Sequence, residues 1–333
     1  MRIVVTGAAG FIGAHLCAQL VRNGHHVTGI DNFSQYYSRD LKSRRAEALL
    51  GVDAIEIVEL DVKDFAELTR VLKSSPPDLI IHLSAQAGIR LPISQVESYV
   101  LENNLGHVNI TKAALELGIP NLIYASSSSV YGNTGGSILS ENLSQTNPIS
   151  VYGVSKLANE KFTHAMSSGS SLKAIGLRFF TVYGPWGRPD MAYFRLINSS
   201  LNQESFPLMG AGSVVRDFTF IDDVAIAISK IAIYMDQQKH PFSNIFNVGG
   251  GSPTSLQGMI EVVSKLTKKE IKIEQLSRNL GDVDSTWCDK SKLESILGSH
   301  EFVDLQTGLS KTVEWAMSEG IRAKLPEWVN SVG

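Results

Sequence analysis

The sequence begins with MRIVVTGAAGFIG, residues 1–13, in which a short apolar run leads directly into a glycine-rich loop. The loop glycines are Gly7, Gly10 and Gly13, in the spacing G-x-x-G-x-x-G. Glycine at these positions permits a tight turn from a strand into a helix and lets the backbone approach a diphosphate closely. The free N–H groups at the start of the following helix attract the same anion. This stretch therefore predicts a fold that binds a dinucleotide.

Asp31 ends the second predicted strand, roughly 20 residues beyond the loop, where an acidic side chain accepts a hydrogen bond from a ribose 2′-hydroxyl. Its charge would repel a 2′-phosphate, and the adjacent Asn32 supplies no cation, so the sequence favours NAD over NADP. Asp61 follows the third predicted strand and has two equally supported interpretations. It is either a contact to the adenine side of the cofactor or the N-cap of a helix.

Short β-branched runs alternate with stretches that carry apolar residues at helical spacing, and this alternation predicts a parallel sheet covered by helices. The predicted strands are Ile3–Val5, Val27–Ile30, Ile55–Val58, Leu79–His82 and Leu122–Ala125. The predicted helices are Phe11–Arg22, Phe65–Leu72, Val96–Leu117 and Ser150–Ala165. The expected fold class is α/β, with a Rossmann-type doubly wound parallel sheet and a smaller C-terminal α/β substrate lobe.

After Ile175 the alternation ends, and glycine, proline and aromatic residues crowd Gly184–Pro189. Thr219–Met235 and Asn244–Val248 again have the patterns of a helix and a strand that return to the sheet. We therefore expect a NAD-binding domain of residues 1–175 together with about 219–248. Residues 176–218 and 249–333 would form the substrate lobe.

The composition limits the partners of the chain. Its 333 residues are 43% hydrophobic, with 30 Lys and Arg against 33 Asp and Glu, so the chain has no basic field for nucleic acid. Cys17 and Cys288 form neither a disulfide framework nor a metal cluster, and His82 and His107 lack metal-ligand spacing. The N-terminus lacks the long apolar stretch of a signal peptide or membrane span. We expect a cytoplasmic protein with no metal and no membrane or nucleic-acid partner.

Tyr152 and Lys156, in the stretch YGVSK, begin a predicted helix, and their i, i+4 spacing places the phenol and the ammonium on one face. A phenol normally titrates near pH ~10, so it needs a nearby cation to act as a base at neutral pH. Such a pair alone is common on helix surfaces. The fifth predicted strand, however, ends in the four serines of residues 126–129, and a doubly wound sheet binds its ligands at such strand ends. A serine, Tyr152 and Lys156 are therefore expected to converge.

Six stretches resemble one protein family: VTGAAGFIG, HLSAQAG, YASSSSVYG, YGVSK, RFFTVYGPWGRPDMA and RDFTFIDD. They are similar to the extended short-chain dehydrogenases/reductases, and specifically to the UDP-glucuronate 4-epimerases, over nearly the whole chain. The resemblance implies that Tyr152 is the base, Lys156 its modulator and ribose ligand, and Ser127 the hydroxyl that shares the substrate O4 proton. It also implies that Asn104 lies near the cofactor. The expected cofactor-binding residues are Gly7, Gly10, Phe11, Ile12, Gly13, Asp31, Asn32, Asp61, Val62, Leu83, Ala85, Gln86, Asn104, Ser126, Tyr152 and Lys156.

The resemblance also implies a reaction. Tyr152 takes the C4 hydroxyl proton while hydride passes to the nicotinamide, and hydride return to the opposite face of the 4-keto sugar inverts C4. NAD would then stay bound through each cycle. Related dehydratases and decarboxylases carry acidic residues where this chain has Ser128 and Ser129, which disfavours both reactions. A non-catalytic NAD-binding protein and a dehydrogenase that releases NADH are the alternatives from other classes.

The expected substrate is UDP-glucuronate, which C4 inversion converts to UDP-galacturonate for polysaccharide biosynthesis. Its 4-keto form is a β-keto acid, so its carboxylate must be held in an unreactive orientation. Ser128, Ser129 and Thr181 are the candidate hydroxyl donors, unless they merely satisfy backbone groups. Thr181 resembles the glucuronate group, because epimerases of neutral hexoses usually carry asparagine there. An epimerase of a neutral UDP-hexose is the alternative.

Arginines suit bidentate contacts to a diphosphate. Arg188, Arg216 and Arg278 lie in segments that resemble the family's substrate lobe, and Asp282 would accept from the uridine ribose. Arg90 either lines the sugar side of the cleft or forms a structural ion pair. The expected substrate-binding residues are Arg90, Ser127, Ser128, Ser129, Thr181, Arg188, Arg216, Arg278 and Asp282.

Two predicted helices, Val96–Leu117 and Ser150–Ala165, carry apolar stripes that exceed what one sheet face buries. Relatives pair such helices into a four-helix interface, so the resemblance implies a homodimer. The alternative is complete burial of both stripes within one chain.

Overall fold

The computed structural model of the chain describes residues 1–51, 55–88, 91–143, 146–209, 212, 214–277, 283, 285–318 and 320–332. In chain order its strands are β1 (Arg2–Thr6), β2 (His26–Asp31), β3 (Glu56–Glu59), β4 (Leu79–His82), β5 (Asn121–Ser127), β6 (Lys173–Phe179), β7 (Thr181–Tyr183), β8 (Phe206–Met209), β9 (Val215–Phe220), β10 (Ser243–Val248), β11 (Pro253–Ser255) and β12 (Ile273–Leu276). The β-branched runs seen in the sequence account for the first five.

The largest sheet has seven strands in the order β10-β6-β5-β4-β1-β2-β3, and its neighbouring strands are parallel. This order confirms the predicted doubly wound sheet of the Rossmann type. From β1 the chain runs outward to β2 and β3 on one side and to β4, β5 and β6 on the other. A crevice opens at such a reversal, at the carboxyl ends of the strands, and this is where the fold binds ligands.

In chain order the helices are α1 (Phe11–Arg22), α2 (Arg39–Leu50), α3 (Phe65–Ser74), α4 (Gly106–Glu116), α5 (Val151–Ser167), α6 (Ala192–Asn202), α7 (Ile221–Gln237), α8 (Leu256–Thr267), α9 (Ser291–Leu297), α10 (Leu305–Met317) and α11 (Leu325–Asn330). Helices cover both faces of the large sheet, because successive strand residues point to opposite sides. Ile3 and Val5 of β1 belong to one buried cluster with Leu16 of α1. Val4 belongs to the other, with Ile110 of α4.

The second half of the chain adds a three-stranded sheet, β11-β9-β7, and a two-stranded sheet, β12-β8. As predicted, a helix (α7) and a strand (β10) return the chain to the large sheet. The expected boundary at residue 175 falls inside β6, which continues in the large sheet to Phe179. The division into two lobes stays a prediction.

The stretch predicted as one helix from Val96 to Leu117 differs in the structure. A 3-10 turn at Ile93–Gln95 is followed by a π-helix at Tyr99–Leu105, and regular α-helix begins only with α4 at Gly106. Apolar spacing does not distinguish these helix types over one or two turns. Single π-helical turns often occur at functional sites, and this one packs beside α5.

Candidate active site

A cleft of about 1770 Å³, which includes space open to solvent, lies at the carboxyl ends of the large sheet. The ends of β1, β2, β4, β5 and β6 supply one wall. The members of that wall next to the strand ends are Gly7, Asp31, Leu83, Ser127 and Phe179. A second wall comes from later segments and contains Thr181, Val182, Arg188, Met191, Arg216, Val283 and Thr286.

The glycine loop forms the floor of this cleft where β1 turns into α1. Gly7 has a φ of 73°, and a Cβ on it would lie 2.8 Å from the backbone nitrogen of Ser84. A Cβ on Gly13 would lie 1.9 Å from the carbonyl oxygen of Gly7. The N-cap of α1, Gly10, has no side-chain capping bond, so the first N–H groups of the helix are available to an anion. The loop therefore fits a dinucleotide diphosphate, and the predicted contacts Phe11 and Ile12 also line the cleft.

Asp31 is fixed at the end of β2 by two backbone donors. One carboxylate oxygen accepts from Ala9 N at 3.0 Å and the other from Phe33 N at 2.8 Å. An ionised carboxylate has about four acceptor sites, so capacity remains for a ribose hydroxyl. Asn32 lines the cleft beside it.

Asp61 follows β3, and its proposed contact to the adenine side of the cofactor stays a prediction. Its carboxylate accepts from Lys63 N at 2.9 Å and from the amide of Asn32 at 3.2 Å. The N-cap of α3 is Asp64 instead, so the helix-cap interpretation of Asp61 is wrong. Asp61 and Val62 line a second cavity of about 920 Å³ that shares Asn32 with the main cleft.

The start of α5 positions the predicted base. Ser150 is the N-cap of α5, and its Oγ accepts from Gly153 N at 3.0 Å. Tyr152 and Lys156 then lie one turn apart, and both line the cleft. The Lys156 amine lies 5.8 Å from the centre of the Tyr152 ring and donates to the Ala125 carbonyl at 3.2 Å. The helix therefore brings phenol and amine to the end of β5.

Serine hydroxyls surround this pair. Ser127 is the last residue of β5, and its Oγ accepts from Ser129 N at 3.1 Å, which starts a short 3-10 turn. Ser126, Ser127, Ser128 and Ser129 all line the cleft, and Thr181 lines the second wall. The structure therefore brings the predicted catalytic residues and the predicted carboxylate donors into one space.

Burial and charge act on the two titratable groups in opposite ways. Burial raises the pKa of the Tyr152 phenol, and the positive charge of Arg188 and then a hydrogen bond with Ser127 lower it. Burial lowers the pKa of Lys156 to about 8. The sequence credited Lys156 with lowering the pKa of the phenol, whereas in the structure Arg188 has the largest such effect.

A buried ion pair lies behind the catalytic residues. Both side chains of the pair Arg178 and Glu160 are less than 10% exposed, and the guanidinium donates to both carboxylate oxygens, at 2.9 and 2.7 Å. Glu160 also accepts from Ser126 Oγ at 2.6 Å. Because Glu160 lies on α5, one turn beyond Lys156, the pair ties that helix to β5 and β6.

Two of the predicted arginines of the substrate side, Arg188 and Arg216, already have hydrogen-bond partners within the chain. Arg188 donates to both carboxylate oxygens of Asp190, at 3.0 and 2.5 Å, and to the Ala87 carbonyl at 3.1 Å. A diphosphate would have to compete with Asp190 for it. Arg216 lines the cleft and donates to the carbonyl of Val283 at 3.0 Å. The predicted residues Arg90, Arg278 and Asp282 lie outside the described residues.

The sequence model of the NAD dependent epimerase/dehydratase family matches residues 3–249. This match includes the glycine loop, the Tyr152–Lys156 pair and β10. The chain belongs to the NAD-dependent epimerase/dehydratase family. Membership confirms NAD as the expected cofactor and the extended short-chain dehydrogenase/reductase resemblance seen in the sequence.

Members of this family with known structures superpose closely. A solved UDP-glucuronic acid 4-epimerase from Bacillus cereus in complex with UDP-glucuronic acid and NAD has a TM-score of 0.87 and 33% identity, covering 95% of this chain and 98% of that one. UDP-glucuronate 4-epimerase 3 of Arabidopsis thaliana is 38% identical over 327 residues, which cover 94% of this chain and 76% of that protein. A solved UDP-glucose 4-epimerase from Thermus thermophilus in complex with NAD has a TM-score of 0.82 and 26% identity, covering 96% of this chain and 100% of that one.

One expected cofactor contact lies elsewhere in this family member. Asn104 does not line the cleft, because its amide donates to the Ser155 carbonyl at 2.8 Å and to Asn159 Oδ1 at 2.7 Å, on α5. The preceding residue, Asn103, is buried, and its Oδ1 accepts from Gln86 N at 2.7 Å. Gln86 lines the cleft as predicted, together with Leu83 and Ala85. Asn103 therefore binds the backbone of a cleft residue, whereas the sequence analysis had placed Asn104 near the cofactor.

Lys42 is a cleft residue that sequence reasoning missed. It lies on α2, is 5% exposed and donates to the carbonyl oxygen and the hydroxyl of Ser34 at 2.5 and 2.9 Å. Burial lowers the pKa of its amine to about 8. Because α2 has no apolar stripe, nothing in the sequence pattern pointed to its buried face.

Neither a metal centre nor a membrane span emerges from the residues that the structure describes. Among them, no group of three or more His, Cys, Asp or Glu side chains is placed to bind a metal ion. In the same ranges no helix combines the length and the hydropathy needed to cross a bilayer.

Proposed function

We propose that this protein is a UDP-glucuronate 4-epimerase, which interconverts UDP-glucuronate and UDP-galacturonate with NAD bound throughout. The observation that carries the proposal is the convergence of Ser127, Tyr152 and Lys156 on the cleft of the glycine loop, with Thr181 on the second wall. Membership of the epimerase/dehydratase family and the similarity to glucuronate epimerases from a bacterium and a plant support it.

NAD supplies a reversible hydride acceptor for C4 of the sugar. The ionised Tyr152 phenolate takes the O4 proton, and the phenol so formed later returns it, so the same group acts as base and as acid. Ser127 shares this proton through its hydrogen bond to the phenol. The positive charge of Arg188 favours the ionised phenol against the effect of burial.

The sugar carboxylate is held by neutral donors. Ser128, Ser129 and Thr181 present hydroxyl groups to the cleft, and Arg188, one of the cations that line it, is paired with Asp190. Hydroxyl donors fix the orientation of the carboxylate bond relative to the C4 carbonyl without adding a net positive charge. This arrangement favours inversion over loss of carbon dioxide.

Two other reactions of the family are the alternatives. Dehydration and decarboxylation use a carboxyl group beside the catalytic hydroxyl, and Ser128 and Ser129 stand at those positions. A neutral UDP-hexose is the second substrate candidate, favoured by the similarity to the Thermus UDP-glucose 4-epimerase. Thr181 argues against it, because epimerases of neutral hexoses usually carry asparagine at that position.

The deciding experiment offers the purified protein UDP-glucuronate, UDP-glucose and UDP-N-acetylglucosamine in separate reactions, without added NAD. Proton NMR follows inversion at C4. We expect UDP-glucuronate to be inverted fastest and to yield little UDP-pentose. Preferential inversion of UDP-glucose would establish the hexose alternative, and stoichiometric NADH release would establish a dehydrogenase.

We propose that the protein is a homodimer that buries the π-helix and α5. Val100 and Leu101 on the π-helix are exposed, as are Val151, Val154 and Phe162 on α5. These two elements are neighbours, joined by Asn104, and contiguous exposed apolar surface of this kind marks interaction sites. Light scattering should give twice the 36.3 kDa chain mass, and Val154→Glu should halve it. Ile233→Glu, on α7, serves as the control, and a monomeric wild-type protein would contradict the proposal.

We also propose a cytoplasmic location, from which UDP-galacturonate would be used for polysaccharide biosynthesis. Both cysteines, Cys17 and Cys288, are buried free thiols, which suits a reducing compartment. Fractionation of cells that express the full-length protein tests this, and recovery in an oxidising compartment would contradict it.

A further inference from the structure

Arg45 is a fully buried cation that lies behind the cleft and binds backbone groups of both walls. It lies on α2, is 0% exposed and donates only to neutral groups among the described residues. Its Nη1 donates to the Ala9 carbonyl at 2.8 Å and to the Tyr37 hydroxyl at 3.0 Å. Its Nε and Nη2 donate to the carbonyls of Trp186 and Gly187, at 2.6 and 3.1 Å. One guanidinium thus joins the dinucleotide loop to the loop that carries Arg188.

Arg45 forms no direct ion pair with an acidic side chain in the described part of the chain, where its guanidinium donates to carbonyl and hydroxyl oxygens. A buried cation without a paired anion is costly, even when carbonyl oxygens solvate it. Ala9, one of its acceptors, lies inside the glycine loop that fits the diphosphate of the dinucleotide. A bound diphosphate would bring negative charge to the side of this loop, and so would favour the buried guanidinium.

The far end of Arg45 holds a strained residue. Trp186 has a φ of 60°, in the left-handed region that residues other than glycine rarely adopt, so its backbone is strained. Its ring packs against Trp315 and Trp328, with ring centres 5.3 and 6.3 Å apart. In this conformation its carbonyl oxygen accepts the 2.6 Å bond from Arg45. The strain is therefore held in place by the guanidinium on one side and the aromatic rings on the other.

The strained loop leads directly to the substrate side of the cleft. Arg188 follows Gly187, and its guanidinium donates to the Ala87 carbonyl, on the wall formed by the strand ends. Asp190, which pairs with Arg188, also accepts from the Tyr36 hydroxyl at 3.4 Å. Arg188 is also the cation that most strongly lowers the pKa of Tyr152. The backbone that Arg45 fixes therefore sets the position of a charge beside the proposed base.

We propose that Arg45 is a positioning residue that couples occupancy of the dinucleotide site to the affinity of the substrate site. It holds Ala9 and the Trp186–Gly187 backbone in one hydrogen-bonded unit, so ordering of the dinucleotide loop also orders the Arg188 segment. By linkage, a ligand on the substrate side must tighten NAD binding by the same factor. The inference rests on the proposed function only in that a UDP-sugar occupies the substrate side.

The test measures NAD affinity at equilibrium with and without saturating UDP, starting from the holoprotein and using dialysis. The variants are Arg45→Met, which removes the charge and the donors, and Arg45→Lys, which keeps the charge but loses the forked set of guanidinium donors. Arg44→Met is the matched control, because Arg44 is the neighbouring arginine of α2 and forms an exposed pair with Asp40.

We expect UDP to tighten NAD binding about tenfold in the wild type and in Arg44→Met, within the usual range of coupling. The factor should fall below about twofold in Arg45→Met, with an intermediate factor in Arg45→Lys. A merely structural arginine would lower the melting temperature equally with and without UDP and leave the factor unchanged. An unchanged factor, or no effect of UDP on the wild type, overturns the proposal. If Arg45→Met does not fold, the factor in Arg45→Lys decides.

The outcome is separable from the proposed function. Inversion of UDP-glucuronate is measured independently by NMR on the same wild-type sample. If the wild type does not invert UDP-glucuronate but the effect of UDP on NAD binding is lost in Arg45→Met, the coupling proposal stands and the proposed substrate is wrong.

Discussion

The two walls of the cleft are built in different ways. The cofactor wall consists of strand ends and helix starts of one sheet, where Ser150 caps α5 and Asp31 binds the backbone of the glycine loop. The substrate wall consists of loops and short strands, where charged side chains are bound by one another or by backbone groups. Arg188 is bound by Asp190, and Asp217 accepts from the N–H groups of Gly250 and Gly251.

This contrast separates reactivity from selectivity. Regular secondary structure fixes Ser127, Tyr152 and Lys156, so the geometry of the proposed proton transfer depends on the large sheet and α5. In the proposed function the other wall selects the sugar, through side chains whose positions depend on neighbouring loops. Changes on the cofactor wall should therefore abolish the reaction, whereas changes on the substrate wall should alter its products.

The largest effect is expected on the cofactor wall, from Tyr152→Phe. Removing the proton acceptor should lower the rate of C4 inversion by about 10²–10⁴-fold, while NAD content and UDP binding stay close to those of the wild type. NMR measures the rate, and absorbance after denaturation measures the NAD content. Tyr234→Phe, on α7, removes a phenol away from the cleft and should have full activity. A rate near that of the wild type in Tyr152→Phe would remove this residue from the mechanism.

Behind the same wall, Glu160→Ala leaves Arg178 buried without its anion. We expect the free energy of unfolding to fall by about 3–5 kcal/mol, because the uncompensated charge stays desolvated. Urea denaturation measures this loss. Glu67→Ala removes the partner of the exposed Arg70 and should change little. Similar losses in the two variants would show that burial of the pair is unimportant.

On the substrate wall, Thr181→Ala or Ser128→Ala should change products more than rate. Loss of one hydroxyl donor costs about 1 kcal/mol, so the fraction of UDP-pentose formed from UDP-glucuronate should rise about fivefold. Chromatography of the reaction mixture separates the two nucleotide sugars. Thr69→Ala, on α3, is the control. An unchanged ratio in both cleft variants would contradict the proposed grip on the carboxylate.

The smallest effect concerns the pH dependence of stability at Lys156. Burial lowers its pKa from 10.5 to about 8, so between these values the unfolded chain binds a proton that the folded chain does not. The contribution of this group to stability therefore rises with pH through that window. Below it, the buried ammonium is at its most costly.

Lys156→Met removes that cost and should raise the free energy of unfolding of NAD-free protein by about 1 kcal/mol near pH 7, after the lost bond to Ala125 is deducted. The advantage should shrink towards pH 10. Urea denaturation at both pH values measures it, with the exposed Lys161→Met of the same helix as control. A difference that grows with pH would contradict the assigned direction.

The cofactor wall was largely predictable and the substrate wall was not. Glycine spacing, β-branched runs and the Tyr152–Lys156 interval are local patterns, and they predicted the sheet and the site at its edge. By contrast, the pairing of Arg188 with Asp190 depends on a loop conformation two residues long, for which no sequence pattern exists. The sequence analysis therefore placed Arg188 in the correct cleft but predicted a diphosphate, and not Asp190, as its partner.

Helix α2 shows a second limit of the pattern. Its buried residues include Lys42 and Arg45 beside Leu41 and Leu50, so its inward face is partly polar and leaves no apolar stripe to read. Helix prediction from periodicity relies on burial being apolar. The same two polar residues supply a cleft amine and the proposed coupling. Apolar periodicity therefore did not reveal the buried face of α2 that contributes to the site.

The register of α5 has a consequence for redesign. Tyr152, Lys156 and Glu160 repeat at intervals of four, so one helical face carries the proposed base, a cleft amine and the partner of Arg178. A slide or rotation of this helix would misplace all three together. To change the sugar preference of this protein, the segments around residues 181–191 and 285–287 should therefore be exchanged. Helix α5 should be left unchanged.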